Sequence, residues 1–202
     1  VKTALSNGEA TVNVAITAGK AVADMLTEMK AKTVQANQAG LDTASKDALQ
    51  NDFTSLRDQL TTIVQTAEFN GKNLITSTAT SLTVLSTVDG STISVAAQKL
   101  DTTTLGINAS NISSGASAAL VAIDAAINTV TSSLASMGSS SKRIDVQSEF
   151  TVQLVDILKE GVGNLVDADL AEESAALQSL QIKQQLGVQA LSIANSGPQS
   201  IL

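Results

Sequence analysis

The stretch QTAEFNGKNLI, residues 65–75, divides two kinds of sequence. Upstream of it, Leu49, Phe53, Leu56, Leu60, Ile63 and Ala67 recur at alternating spacings of four and three, which keeps them on one face of an α-helix. Downstream, β-branched residues crowd SLTVLSTVDGSTISVAAQ, residues 81–98, on both sides of Asp89-Gly90. An Asp-Gly pair between two such runs predicts a β-hairpin with a type I′ turn. Two strands alone are marginal in water, so the hairpin needs a seat. Phe69 is placed to pack beneath it, while Asn70-Gly71 turns the chain from helix into hairpin. The corner residues are therefore Phe69, Asn70, Gly71, Asp89 and Gly90.

Toward the N-terminus, Val12, Ile16, Gly19, Ala23 and Leu26 repeat the four-three spacing and predict a first helix over residues 9–37. In NQAGLDTAS, Gly40 can take a left-handed cap, Ser45 can cap the second helix, and Asp47 falls in its first turn. Two amphipathic stripes joined by a short loop form an αα-hairpin. Toward the C-terminus, a third stripe begins near Ser117 with Leu120, Ile123, Ile127, Val130, Leu134 and Met137, and resumes through Ile144, Val155, Leu158, Val162 and Leu165. Gly138, Gly161 and Gly163 each weaken it by about 1 kcal/mol relative to Ala. Roughly fifty helical residues would reach about 75 Å, which predicts an elongated antiparallel bundle, a rod. VDADLAEES is expected to interrupt this helix, with Asp169 and Glu172 forming a capping box for a final helix over residues 170–195. Leu177, Leu180, Ile182, Leu186, Val188, Leu191 and Ile193 lie around much of that helix, so it needs partners on more than one side. Gly197-Pro198 is expected to end it.

Composition narrows the function. Phe53, Phe69 and Phe150 are the only aromatic residues, and a core of aliphatic side chains suits helix seams better than a wide globule. A net charge of −7 opposes binding to nucleic acid, which needs clustered cations. The chain has no histidine, which removes Ser-His-Asp triads and most zinc sites and leaves no imidazole base to activate a Ser or Thr. It has no cysteine either, so no disulfide forms. Asp167, Asp169, Glu172 and Glu173 offer oxygen ligands to a hard cation, yet helix capping explains them more simply. Lys142 and Arg143 read as a solvated face, and Gly161-Val162-Gly163 lies within a helical stripe where no nucleotide fingerprint belongs. No catalytic, cofactor or metal site is expected. No uninterrupted run nears the roughly 18 apolar residues of a membrane span, and no cleavable signal is visible from Val1 onward.

Four segments carry a family resemblance: LTEMKAKTVQANQ (26–38), AEFNGKNLI (67–75), VDGSTISVAAQKLDTTTLGI (88–107) and LVDADLAEESAALQSLQIKQQLGVQALSIANSGPQSIL (165–202). In this order they resemble bacterial flagellin of the short alphaproteobacterial kind, trimmed at both termini. The resemblance implies N-terminal bundle helices over 1–75, a β-hairpin segment over 76–116, a long bundle helix over 117–168 and an inner-core helix over 169–202. The bundle seam would comprise Val12, Ile16, Ala23, Leu26, Leu49, Phe53, Leu56, Leu60, Ile63, Leu120, Ile127, Val130, Leu134, Val155, Leu158 and Val162. Polymer-core and chaperone contacts would fall on Leu177, Leu180, Leu186, Leu191 and Ile193. It further implies an extracellular filament subunit for swimming motility, exported unfolded by the flagellar type III apparatus. Its partners would be other subunits, an export chaperone, the filament cap and the hook-junction proteins. Where many flagellins present Arg and Leu to the innate immune receptor TLR5, this chain has Glu28 and Lys32, which implies weak recognition or evasion. A cell-surface binding module and the hook-filament junction protein are the alternatives; the absence of Trp and Tyr, the usual sugar-stacking rings, weighs against a glycan-binding module.

Overall fold

A computed structural model describes the backbone of residues 1–196 and the side chains of residues 1–194. The expected stop at Gly197-Pro198 lies outside the described residues. The chain divides into two compact units, Val1–Thr151 and Val152–Leu202. The elements in chain order are α1 (Lys2–Ala36), α2 (Thr43–Thr66), β1 (Glu68–Phe69), β2 (Lys72–Asn73), β3 (Leu82–Leu85), β4 (Thr92–Val95) and α3 (Ile112–Ser196).

In the first unit, α1 starts seven residues before the expected residue 9: Asn7-Gly8 favours a turn, but Leu5 and Gly8 are buried on the packed stripe, and tertiary packing overrides that propensity. Its buried stripe is Leu5, Gly8, Val12, Ala15, Gly19, Val22, Leu26, Met29, Thr33 and Ala36, an unbroken three-four alternation of the kind that packs along neighbouring helices. Ile16 and Ala23 are half-buried on its flank. Small residues and Thr33 complete the stripe at positions that a search for large apolar side chains passes over. The buried Thr33 hydroxyl donates to the Met29 carbonyl at 2.8 Å, so its burial leaves no polar atom unpaired.

Gly40 adopts the expected positive φ, +86°. The cap of α2 is Asp42, whose carboxylate accepts from the Ser45 N–H at 2.6 Å. Ser45 is therefore the third helical residue, and Asp47 lies beyond the first turn. The Asp42 carboxyl is held below its ordinary pKa by the hydrogen bonds from Ser45. Phe53, Leu60 and Val64 are the buried residues of α2, with Leu49, Leu56 and Ile63 packed against the core from partly buried positions.

The two Gly-containing turns exchange roles relative to expectation. Asn70 and Gly71 both have positive φ, 51° and 74°, and link β1 to β2 with Glu68 opposite Asn73 and Phe69 opposite Lys72. This is the two-residue type I′ geometry. Asp89-Gly90 sits instead in a longer loop: β3 and β4 pair from Leu82↔Val95 to Leu85↔Thr92, and Gly90 alone of the two has positive φ. The Ser86 N–H donates to the Ser91 carbonyl at 2.8 Å, closing the ladder beneath a four-residue turn.

After β4 the connector over residues 96–111 buries Leu100, Leu105 and Ile107 in the core. Hydrogen bonds of 2.8 Å from the Gln98 and Leu100 N–H groups to the Leu74 and Ile75 carbonyls pin its start. In the first unit, α3 then contributes Ile112, Ala116, Ala119, Ile123, Ala126, Val130, Met137 and Ile144 to that core, again at three-four spacing. Lys30–Asp124 and Lys32–Asp52, each 2.7 Å, tie α1 to α3 and to α2.

α3 is assigned through VDADLAEES without the expected interruption. The segment contains neither Gly nor Pro, and its residues cost at most about 0.7 kcal/mol each in a helix, so Asp169 lies within the helix and caps nothing. Ile112–Ala194 holds an 18-residue window of mean hydropathy 1.4, apolar enough by length and composition to cross a membrane, with 28% of it buried. This departs from the sequence expectation, which counted only uninterrupted runs. A packed amphipathic helix meets the same criterion.

Candidate assembly surfaces

Two surfaces stand out, one in each unit. In the first, the hairpin is seated by α1. A methyl placed on Gly8 would lie 2.5 Å from Val84 Cγ2, so Val84 fills the notch that the glycine leaves. Val84, Ile93 and Val95 face inward while Thr83, Thr92 and Ser94 face out, the alternation of a sheet with one packed face. Phe69 is half-buried and lines a groove of about 570 Å³ with Gly8, Thr11, Leu82 and Leu85. It borders the hairpin at the place the sequence suggested, but the closest fit belongs to Gly8 and Val84, which no periodicity singled out. Gln147 of α3 donates to the Ser86 carbonyl at 3.0 Å, fastening the hairpin's far end. Beyond that bond Val88 at the loop tip is 90% exposed.

The second unit, whose described residues are a stretch of α3, exposes its large apolar side chains among those residues. Leu177, Leu180 and Leu186 are 53%, 61% and 58% exposed; Ile182, Val188, Leu191 and Ile193 are exposed as well. Val155, Leu158 and Val162, expected in the bundle seam, are also exposed, so within this unit they form no seam. Their spacing is right for one, but a single helix has nothing to close it. At about 25 cal/mol per Å² of apolar surface removed from water, such a face is a strong drive to associate.

The remaining candidates are separate from both surfaces. Glu28 is exposed, and Lys32 is engaged with Asp52, whose hydrogen bond and charge hold the Lys32 ammonium above its ordinary pKa. Lys142, Arg143, Asp167, Asp169, Glu172 and Glu173 are all exposed, and no acidic cluster among the described residues is arranged to hold a metal ion. Burial would raise Asp101, but the Thr104 hydroxyl and N–H and further backbone N–H groups outweigh it and hold the carboxyl below its ordinary value. Asp101 caps the connector's turn at Thr102–Gly106 in this way.

A helical bundle with a seated hairpin, followed by a helix whose apolar faces are open, defines a structural protein built to associate. The family model for the bacterial flagellin N-terminal helical region matches residues 1–80, and that for the C-terminal helical region matches residues 120–202. Flagellin FljM of Caulobacter vibrioides is 49% identical over 205 residues, covering all of this chain and 75% of that protein. A flagellin of Brucella melitensis biotype 1 is 35% identical over 217 residues, covering all of this chain and 76% of its own length. Among solved structures, Bacillus cereus flagellin matches with a TM-score of 0.67 at 20% identity, covering 74% of this chain and 88% of that one. A putative flagellar hook-associated protein of Vibrio parahaemolyticus matches at 0.65 and 16% identity, covering 80% and 88%. The chain belongs to the flagellin family, the structural subunits of the bacterial flagellar filament.

Proposed function

We propose that this subunit joins its filament through the open apolar face of the second unit, with Leu177, Leu180, Leu186, Leu191 and Ile193 against other subunits, and that an export chaperone covers the same face beforehand. The observation that carries the reading is the exposure of those leucines, each more than half accessible in the single chain. A head-to-tail contact whose rotation does not close generates an open helical polymer. The subunit then works outside the cell, delivered through the flagellar export apparatus and bounded by cap and hook-junction proteins, with no catalytic role. The divisions at residues 75, 116 and 168 mark bundle helices, hairpin segment, long bundle helix and inner-core helix in this scheme. The junction-protein alternative has only fold-level similarity on its side, against 49% and 35% identity to flagellins over the whole of this chain.

The test uses a motile host whose sole flagellin carries these residues. Leu180→Asp paired with Leu186→Asp removes filaments seen by negative-stain microscopy while subunit still accumulates; normal filaments would overturn the reading. For Glu28 and Lys32, the expectation is weak TLR5 signalling by the purified protein in a receptor reporter assay. A potent response would exclude evasion.

A further inference from the structure

We propose that Gln50 and Arg57 of α2 form a latch that fixes where α3 begins, and that the segment they hold, residues 106–116, is the part of the first unit that opens first. The first N–H groups of a helix have no partner within it, and a partly buried one needs an acceptor from elsewhere. The Ile112 N–H finds it on another helix: Gln50 Oε1, at 2.6 Å. The Gln50 amide is oriented for this by its Nε2, which donates to Thr54 Oγ1 at 3.1 Å. Two turns along α2, Arg57 Nη1 donates to the Asn108 carbonyl at 2.8 Å, holding the approach to the helix.

Two features make the held segment separable from the rest of α3. Gly115, with φ −139° and ψ 41°, is not helical, so the backbone kinks between the first turn and the long run after it, although its own N–H still donates to the Asn111 carbonyl at 3.0 Å. Within that turn the bonds are local: the Asn111 side chain accepts from the Ser113 and Ser114 N–H groups at 3.0 and 3.1 Å. What attaches it to the unit is the burial of Ile107, Ile112 and Ala116, the Ile107 and Asn108 N–H bonds to the Thr102 carbonyl and the two α2 side chains. Cooperative units of this sort open at lower free energy than the core. The latch sets that opening without touching the helix beyond Gly115.

The experiment is amide hydrogen exchange of the whole chain, read by mass spectrometry, for Gln50→Ala, Gln50→Glu and Arg57→Ala. Stranding the Ile112 N–H raises exchange over residues 106–116 by about tenfold or more, on the scale of an unpaired buried donor. Peptides covering 82–95 and 120–137 change by less than about twofold, since the interaction lost is local. Gln50→Glu keeps an acceptor in place and retains most of the protection. Unchanged exchange over 106–116, a uniform rise across the first unit, or a Gln50→Glu variant as open as Gln50→Ala would each overturn the latch.

Discussion

The two units are written in the same alphabet and end differently. In the first, apolar residues at three-four spacing close on one another: Phe53, Ile123 and Leu26 have no accessible surface. In the second, the same spacing leaves Leu177, Leu180 and Leu186 more than half exposed. Periodicity states that a helix face requires a partner; it does not say whether the partner is in the same chain. What decides is whether further elements return across the face. The first unit has α1, α2, the hairpin and the connector for this, and the second, among its described residues, has one helix.

The sharpest way to break this comparison is to remove one large side chain from each unit. Phe53→Ala leaves a cavity the size of the chain's only fully buried aromatic ring, and the first unit loses about 3–5 kcal/mol in denaturant unfolding. Leu186→Ala leaves the subunit's unfolding free energy within about 0.5 kcal/mol of the parent, as for an exposed position, while self-association measured by sedimentation falls. A Leu186 effect on the monomer as large as that of Phe53 would mean that the second unit closes its own core.

Glycine gives a second, smaller contrast. Gly8→Ala drives a methyl against the branched side chain of Val84, and because a β-branched residue has little rotamer freedom, we expect a loss of about 1–3 kcal/mol. Gly163→Ala meets nothing within 4 Å and raises helicity by circular dichroism, with a gain of up to about 1 kcal/mol. If Gly8→Ala were neutral, the hairpin would not be held by the notch.

Much of the fold was legible from residue spacing. The three helical stripes, the β-rich insert and the corner at Asn70-Gly71 follow from apolar periodicity and turn chemistry. The misreadings have identifiable causes. Asp89-Gly90 looked like the tighter turn, yet the ladder closes at Ser86 and Ser91 through backbone and hydroxyl bonds, and so sets a longer loop that needs only Gly90 at positive φ. The seat of the hairpin was invisible because its key residue, Gly8, is a missing side chain. Gln50 and Arg57 could not be read either, since their partners lie 62 and 51 residues away. The open face of the second unit was legible, because a helix apolar around its circumference needs partners on several sides whatever surrounds it.

Helix starts supply the smallest effect. Asp42 and Asp169 each stand before an acidic or hydroxyl residue three positions on, but only Asp42 caps, at 2.6 Å from the Ser45 N–H, while Asp169 lies inside a continuing helix. Asp42→Ala therefore lowers the first unit's unfolding midpoint, whereas Asp169→Ala leaves it unchanged. The sign with pH follows from the cap: the folded carboxyl has the lower pKa, so the folded state favours the ionised form. The stabilisation is complete above the ordinary carboxyl value, about 4, and is lost as pH falls through the depressed folded value. The gap between parent and Asp42→Ala should stay constant from neutral pH down to about pH 5 and narrow below it. Ser45→Ala keeps the backbone donor, the larger of the two causes, and loses the hydroxyl, so it weakens that pH dependence without abolishing it, and a gap that persists undiminished at pH 2 would show that Asp42 acts through something other than its charge.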